Sequence, residues 1–394
     1  MKNLFTAILI FITCFAFCQP KLSILEQQGT DFFKAGNEID ATTTFEKALT
    51  ENPKSLYAIN ALTTLYHNQK LEQKAYDIAD KGLKLSGGTA NFVYAKARAA
   101  TFLFKPEDAI AIIDAFALKN KPDYMIWFIK ANAYNQLNDK QQAINAYSQS
   151  ITESPEFFNA HFERGKLFAN LQRYPQALKD YDKCIELDKE YADVYNYLGV
   201  IYYKMGNLDG ALTNYDKCIE LDPKQSFALA NRGVVYRDKN QLDKATADFD
   251  AAIAVNSNND GAYFEKAVLN VGNKSYDNAL ILINKAIELQ PNLSVYYVVQ
   301  SKINNALDNY DQAIISANKA LALEPKNPDG FILKAAAYYN KENFNEALKI
   351  VSDAITLLPD NYMFYSFRAS INRKLNNIDS ANADDAKAKE LAAK

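Results

Sequence analysis

Three aromatic residues stand 34 positions apart, Tyr94, Phe128 and Phe162, and each is followed four residues later by a polar side chain, Arg98, Asn132 and Lys166. Residues i and i+4 share one face of a helix. The spacing therefore predicts three rings in a row, each with a donor one turn away. Asn135 adds a second amide beside Asn132. Rings and donors together suit an extended chain, because they offer apolar contact plus hydrogen bonds to backbone carbonyls or carboxylates. The competing reading is that the aromatics simply pack on one another. Asn196, Asn231 and Arg237 lie further along and either extend such a site or form solvated surface.

Reactive chemistry has little support. The two histidines, His67 and His161, belong to no cluster with metal-ligand spacing. There is no glycine-rich phosphate loop and no Gly-x-Ser-x-Gly nucleophile motif. A non-catalytic protein without cofactor or metal is expected.

The elements that position the stripe follow from a period. Alanine recurs at every thirty-fourth position from Ala41 to Ala381, through Ala75, Ala109, Ala143, Ala177, Ala211, Ala245, Ala279, Ala313 and Ala347. A fixed period of this size is the signature of a stacked repeat array. With alanine at position 20, the units begin at Leu22, Leu56, Ala90, Tyr124, Phe158, Ala192, Ser226, Asp260, Ser294, Pro328 and Tyr362, the last running to Lys394. In the sixth unit Tyr195, Leu198, Gly199 and Tyr202 share a helical face, Met205-Gly206-Asn207-Leu208 is a turn, and Ala211, Tyr215 and Cys218 share a second face. Asp222-Pro223 ends that helix. Each unit is thus two antiparallel helices, with positions 4, 7, 8 and 11 expected to face the core. Small residues at positions 8 and 20 let the two axes approach.

These residues resemble the tetratricopeptide repeat family, whose pattern is a large residue at 4, Leu at 7, Gly at 8, Tyr at 11, Ala at 20, an aromatic at 24, Ala at 27 and Pro at 32. Trp127, Tyr134, Ala143, Tyr147 and Pro155 match in the fourth unit; Tyr195, Leu198, Gly199, Tyr202, Ala211, Tyr215 and Pro223 match in the sixth. The resemblance covers residues 22–394 and implies an all-α fold, a right-handed α-α superhelix (solenoid) of about eleven 34-residue helix-turn-helix repeats. It also implies that positions 2, 5, 9 and 12 line a concave groove that holds peptides or partner helices. The candidate groove set is Tyr94, Arg98, Phe128, Asn132, Asn135, Phe162, Lys166, Asn196, Asn231 and Arg237. The family's carboxylate-clamp residues are not carried over, since position 5 holds Glu26, Asn60, Tyr94 and Phe128 in the first four units. Two departures stand out: Phe116 at position 27, and Ala79, Ile113, Ile283, Ala317 and Val351 at position 24. The polar tail from Asp384 to Glu390 is read as the water-facing surface of a cap.

The N-terminus reads as a leader. Lys2 precedes a mostly apolar run from Leu4 to Phe17, short for a membrane span. Residues 1–18 are read as a signal peptide removed before Gln19, which predicts export to the periplasm, the envelope or the medium. Membrane attachment enters only if Cys18 is lipidated, and Phe17 before it fits that motif poorly. Beyond the leader, Cys184 and Cys218 are read as two buried thiols, not a disulfide. A formal net charge of −3 counts against nucleic acid. The expected function is a protein–protein interaction scaffold with a protein or peptide in its groove. A glycan-binding or lipid-anchored structural component of the cell envelope is the alternative.

Overall fold

A computed structural model describes residues 22–393; the leader, its cleavage site and Cys18 lie outside the described residues. Within them the chain is all-α, with 22 helices in eleven pairs and no strand. The pairs are α1 (Ile24–Lys34) and α2 (Glu38–Glu51), α3 (Leu56–Asn68) and α4 (Glu72–Ser86), α5 (Ala90–Phe102) and α6 (Pro106–Ala117), α7 (Tyr124–Gln136) and α8 (Lys140–Glu153), and α9 (Phe158–Asn170) and α10 (Tyr174–Leu187). They continue with α11 (Ala192–Lys204) and α12 (Leu208–Leu221), α13 (Ser226–Asp238) and α14 (Leu242–Val255), and α15 (Asp260–Gly272) and α16 (Tyr276–Leu289). The last are α17 (Ser294–Ala306) and α18 (Tyr310–Leu323), α19 (Pro328–Asn340) and α20 (Phe344–Leu357), and α21 (Tyr362–Lys374) and α22 (Ile378–Ala392). Two compact units divide after Lys189, α1–α10 in the first and α11–α22 in the second.

Within each unit, paired helices pack on each other and the second helix packs on the first helix of the next repeat. First helices of successive repeats also touch directly: α3 on α5 and α5 on α7 in the first unit, and α11 through α21 in the second. Second helices make no comparable contact with one another. First helices therefore form the inner wall of each stack.

The turn inside each pair is fixed by one residue. Position 15 has positive φ in every repeat, at Gly36, Lys70, Phe104, Asn138, Gln172, Gly206, Asn240, Lys274, Asp308, Glu342 and Asn376. This left-handed residue ends the first helix, and the following N–H closes on a helix carbonyl, as Asn207 to Tyr202 at 2.9 Å.

Packing between the paired helices explains the variation at positions 8 and 24. An ideal Cβ built on Gly199 would lie 2.5 Å from the Tyr215 ring, and one on Gly233 2.7 Å from the Phe249 ring. At these glycines the position-24 ring thus occupies the space of a position-8 side chain, whereas in the fourth repeat Tyr147 packs in one cluster with Ala131. Where position 24 is Ala79, Ile113, Ile283, Ala317 or Val351, position 8 carries a side chain instead: Thr63, Ala97, Ala267, Ser301 or Ala335. The same exchange operates between repeats. Gly82 at position 27 admits the Phe92 ring, 2.4 Å from an ideal Cβ, whereas Phe116 fills its own site beside Ile113 and Ile126.

Position 7 departs from the expected core role. It is Leu only in Leu62 and Leu198; in seven of the other nine repeats it is a polar side chain that reaches one or two second helices. Lys96 reaches Asp80 at 2.7 Å and Lys130 reaches Asp114 at 2.5 Å, both in the preceding repeat. Arg232 spans two repeats, with Nη1 on Asp216 at 2.7 Å and Nε and Nη2 on Asp248 at 2.8 and 2.7 Å. Arg164 does the same with Ser148 and Asp180. Gln300 repeats it without charge, donating to Asn284 and accepting from Ser316. The partners lie sixteen residues away, so inside each unit these side chains clip several repeats to their neighbours.

Asp384 corrects the reading of the cap. It is buried and accepts two bonds from Arg368 at 2.9 and 2.7 Å, instead of facing water. His161 is buried between Asp180 and the Pro155 carbonyl, 3.0 Å from each. Cys184 and Cys218 are free and buried, and burial pushes both thiols up to about 12.

Candidate functional site

Position 5 of the inner wall carries the aromatic stripe, and the three rings differ in environment. Phe162 is 9% exposed, packed 5.9 Å from Phe158 and 6.0 Å from Tyr181. Phe128 is half-buried, 5.2 Å from Phe157 and 5.6 Å from Tyr147. Those two rings are largely committed to packing. Tyr94 is half-buried, and the Arg98 guanidinium stands 5.2 Å from its centroid.

The polar neighbours divide in the same way. Asn132 accepts the Tyr147 hydroxyl at 2.5 Å, and Asn135 accepts from Lys140 at 2.9 Å. Lys166 lies 5.5 Å from the Phe162 ring and pairs with Glu163 at 2.9 Å. In the second unit Asn231 donates to Asn196 at 3.3 Å. Arg237 pairs with Glu265 and with Asp238, so it pins the wall instead of offering a free donor. Position 5 of the first repeat is also structural: Glu26 accepts from the Ser23 N–H at 2.8 Å and from the Ser55 hydroxyl. Burial raises its carboxyl, but these bonds outweigh it and hold the group below its usual range.

Arg98 differs from all of these. Its buried Nε has no hydrogen-bond partner, and the side chain joins no ion pair among the described residues. It faces His67 of the preceding repeat. Burial first, then the Arg98 charge, hold the His67 imidazole below its ordinary range, although Glu72 Oε1 lies 2.8 Å from Nδ1. Tyr94, Arg98 and His67 thus place an aromatic face, an uncompensated cation and an imidazole together on one inner wall. The repeat phase pointed to Tyr94 and Arg98. His67 was visible only as a histidine at position 12, and its link to Arg98 needed the neighbouring repeat in place.

Models of the tetratricopeptide repeat family match residues 94–156, 192–225, 214–247, 231–294 and 295–327, and a model described as TPR repeat matches 166–206. The chain is a tetratricopeptide repeat protein. No curated protein matches this repeat protein in sequence. Solved structures similar to it include yeast Tom70, 17% identical over 93% of this chain and 91% of that one, with a TM-score of 0.46. PilW, a type IV pilus biogenesis factor, is 18% identical over 52% and 96%, with a TM-score of 0.47. YrrB, a TPR protein with an unusual peptide-binding site, is 21% identical over 47% and 95%, with a TM-score of 0.39. The tetratricopeptide array is a protein–protein interaction scaffold, of a kind that is typically non-catalytic.

Proposed function

We propose that this chain is an exported scaffold that holds an extended, carboxylate-bearing protein segment on the inner wall of its first unit, over Tyr94 and Arg98. The observation that carries this reading is the state of Arg98. Of the seven arginines, Arg164, Arg232, Arg237, Arg368 and Arg373 pair with carboxylates and Arg173 reaches Gln141. Arg98 has a half-buried guanidinium and no anion. A cation held over a ring beside an apolar wall is suited to a carboxylate delivered by a bound chain. Export rests on the apolar leader, Leu4 to Phe17 behind Lys2.

Two measurements bear on this reading. A peptide with a free C-terminal carboxylate should bind the full chain, and Arg98→Ala should weaken it about tenfold or more, with unchanged circular dichroism. Equal binding of the C-terminally amidated peptide would remove Arg98 from the site. Mass spectrometry of the protein recovered from its host should find a chain beginning at Gln19. A chain that still begins at Met1 would sink export.

A further inference from the structure

The turn between α5 and α6 holds a residue that the fold alone does not explain. In ten repeats the left-handed position 15 is Gly, Asn, Gln, Lys, Asp or Glu; in the third it is Phe104, at φ +55°. A bulky side chain is disfavoured in that region of backbone. Phe104 is also 84% exposed, so it gains nothing from burial. Strain and exposure retained together point to use of the ring.

Its surroundings are equally specific. Phe102, 55% exposed, sets its edge against His67 at 4.7 Å, and Leu71 is exposed nearby in the chain's preceding turn. Phe102 and Leu103 line a shallow cleft of about 460 Å³ with residues 70–74. Lys70 and Lys74 line it, and Lys105 follows Phe104 in the chain. Lys74 stands 5.4 Å from the Tyr66 ring and Lys105 5.7 Å from the Tyr76 ring, and Lys70 occupies the left-handed turn position. None of the three joins an ion pair among the described residues. Of the nearby carboxylates, Asp108 accepts the Tyr76 hydroxyl at 2.9 Å and Glu72 faces His67. Glu72 Oε2 is buried without a hydrogen-bond partner.

We infer that this ledge of Phe102, Phe104 and Leu71, on the turn edge of the second and third repeats, docks an extended protein segment in which carboxylates alternate with aromatic or aliphatic side chains. The exposed rings receive the apolar side chains. Lys70, Lys74 and Lys105 receive the carboxylates. The ledge adjoins the groove over Tyr94 at His67, which Phe102 and Glu72 both approach, but its exposed rings and lysines are not the residues of that groove, and it goes beyond the function proposed there.

The test uses the full chain and a fluorescein-labelled peptide alternating Asp and Phe, read by fluorescence anisotropy. A peptide alternating Lys and Phe, and vesicles of zwitterionic and of anionic lipid, are the other probes. Phe104→Asn installs the residue that Asn138, Asn240 and Asn376 supply at the same turn position, so the fold is retained. Acidic-peptide affinity is expected to fall about tenfold or more with Phe104→Asn and to weaken with added salt. The thermal midpoint should stay or rise, and Arg98→Ala should leave this affinity unchanged. Undiminished binding by the Phe104→Asn chain, or no binding of the acidic peptide by the parent chain, overturns the inference. So does loss through Arg98→Ala alone, which returns the peptide to the groove. Capture of anionic vesicles through Phe104 in place of the peptide makes the ledge a lipid surface and equally overturns it.

Discussion

Replacing Gly199 with alanine is expected to destabilise the sixth repeat by about 1–3 kcal/mol. The new methyl carbon would sit 2.5 Å from Tyr215 Cε1 and 2.6 Å from Cδ1, inside any real carbon–carbon contact. Tyr215 is among the largest fully buried side chains, so any shift of its ring displaces packed neighbours. Other repeats show the compatible solution. Ala97 faces Ile113 and Ala335 faces Val351, each a methyl opposite a branched aliphatic chain. Tyr215→Ile alone should also be costly, because it leaves a void beside Gly199. The double substitution Gly199→Ala/Tyr215→Ile fills that void with the methyl. Its cost should fall below the sum of the singles by about 1 kcal/mol or more. Repeats in an array contact only their neighbours, so the effect should be local. Amide hydrogen exchange across residues 192–225, with urea unfolding of the whole chain, reads both quantities. Strict additivity of the two substitutions would show that positions 8 and 24 do not share one space.

That shared space also explains what the residues revealed in advance and what they hid. From the second repeat on, every first helix starts on the first residue of its 34-residue unit, because the alanine at position 20 must meet the same buried contact each time. Such a period is carried by local sequence and can be read without coordinates. The Ala79 and Ile113 departures were visible as well, but their compensation by Thr63 and Ala97 appears only once two helices are set against each other. Position 7 was read as core from the pattern that Leu198 satisfies. Arg232 contradicts that reading through partners sixteen residues away on either side, a spacing no single helix displays. The stripe behaves likewise. Helical phase placed Tyr94, Phe128 and Phe162 at one position, whereas Phe157 and Phe158, which occupy two of the rings, come from the linker and helix start between the fourth and fifth repeats. Phe104 was legible as a letter but not as a strained turn, since the left-handed backbone at position 15 is a property of the fold.

Arg232→Leu should weaken the second unit even though it installs the leucine that the family pattern, and Leu198 one repeat earlier, place at position 7. The reason is the partner left behind. Asp248 is 6% exposed and would lose both of its guanidinium donors, at 2.8 and 2.7 Å. Breaking a buried pair from one side costs about 3–5 kcal/mol. Partial exposure of the Arg232 end lowers that to about 2–3 kcal/mol here. Asp216 is open to water and contributes little to the loss. The complementary change is milder. Asp248→Ala leaves Arg232 paired with Asp216 at 2.7 Å and in reach of solvent, for a cost of about 1–2 kcal/mol. Arg232→Leu/Asp248→Ala removes the buried charge together with its partner and should return to within about 1 kcal/mol of the parent. Urea unfolding of the three variants gives the order directly: the single arginine substitution least stable, the double substitution close to the parent. A double variant no better than Arg232→Leu would mean that the bridge to Asp248 contributes through packing of the arginine stem. A single variant as stable as the parent would reduce the whole position-7 ladder to surface pairs, and the cohesion between repeats would then rest on the aromatic and alanine contacts alone.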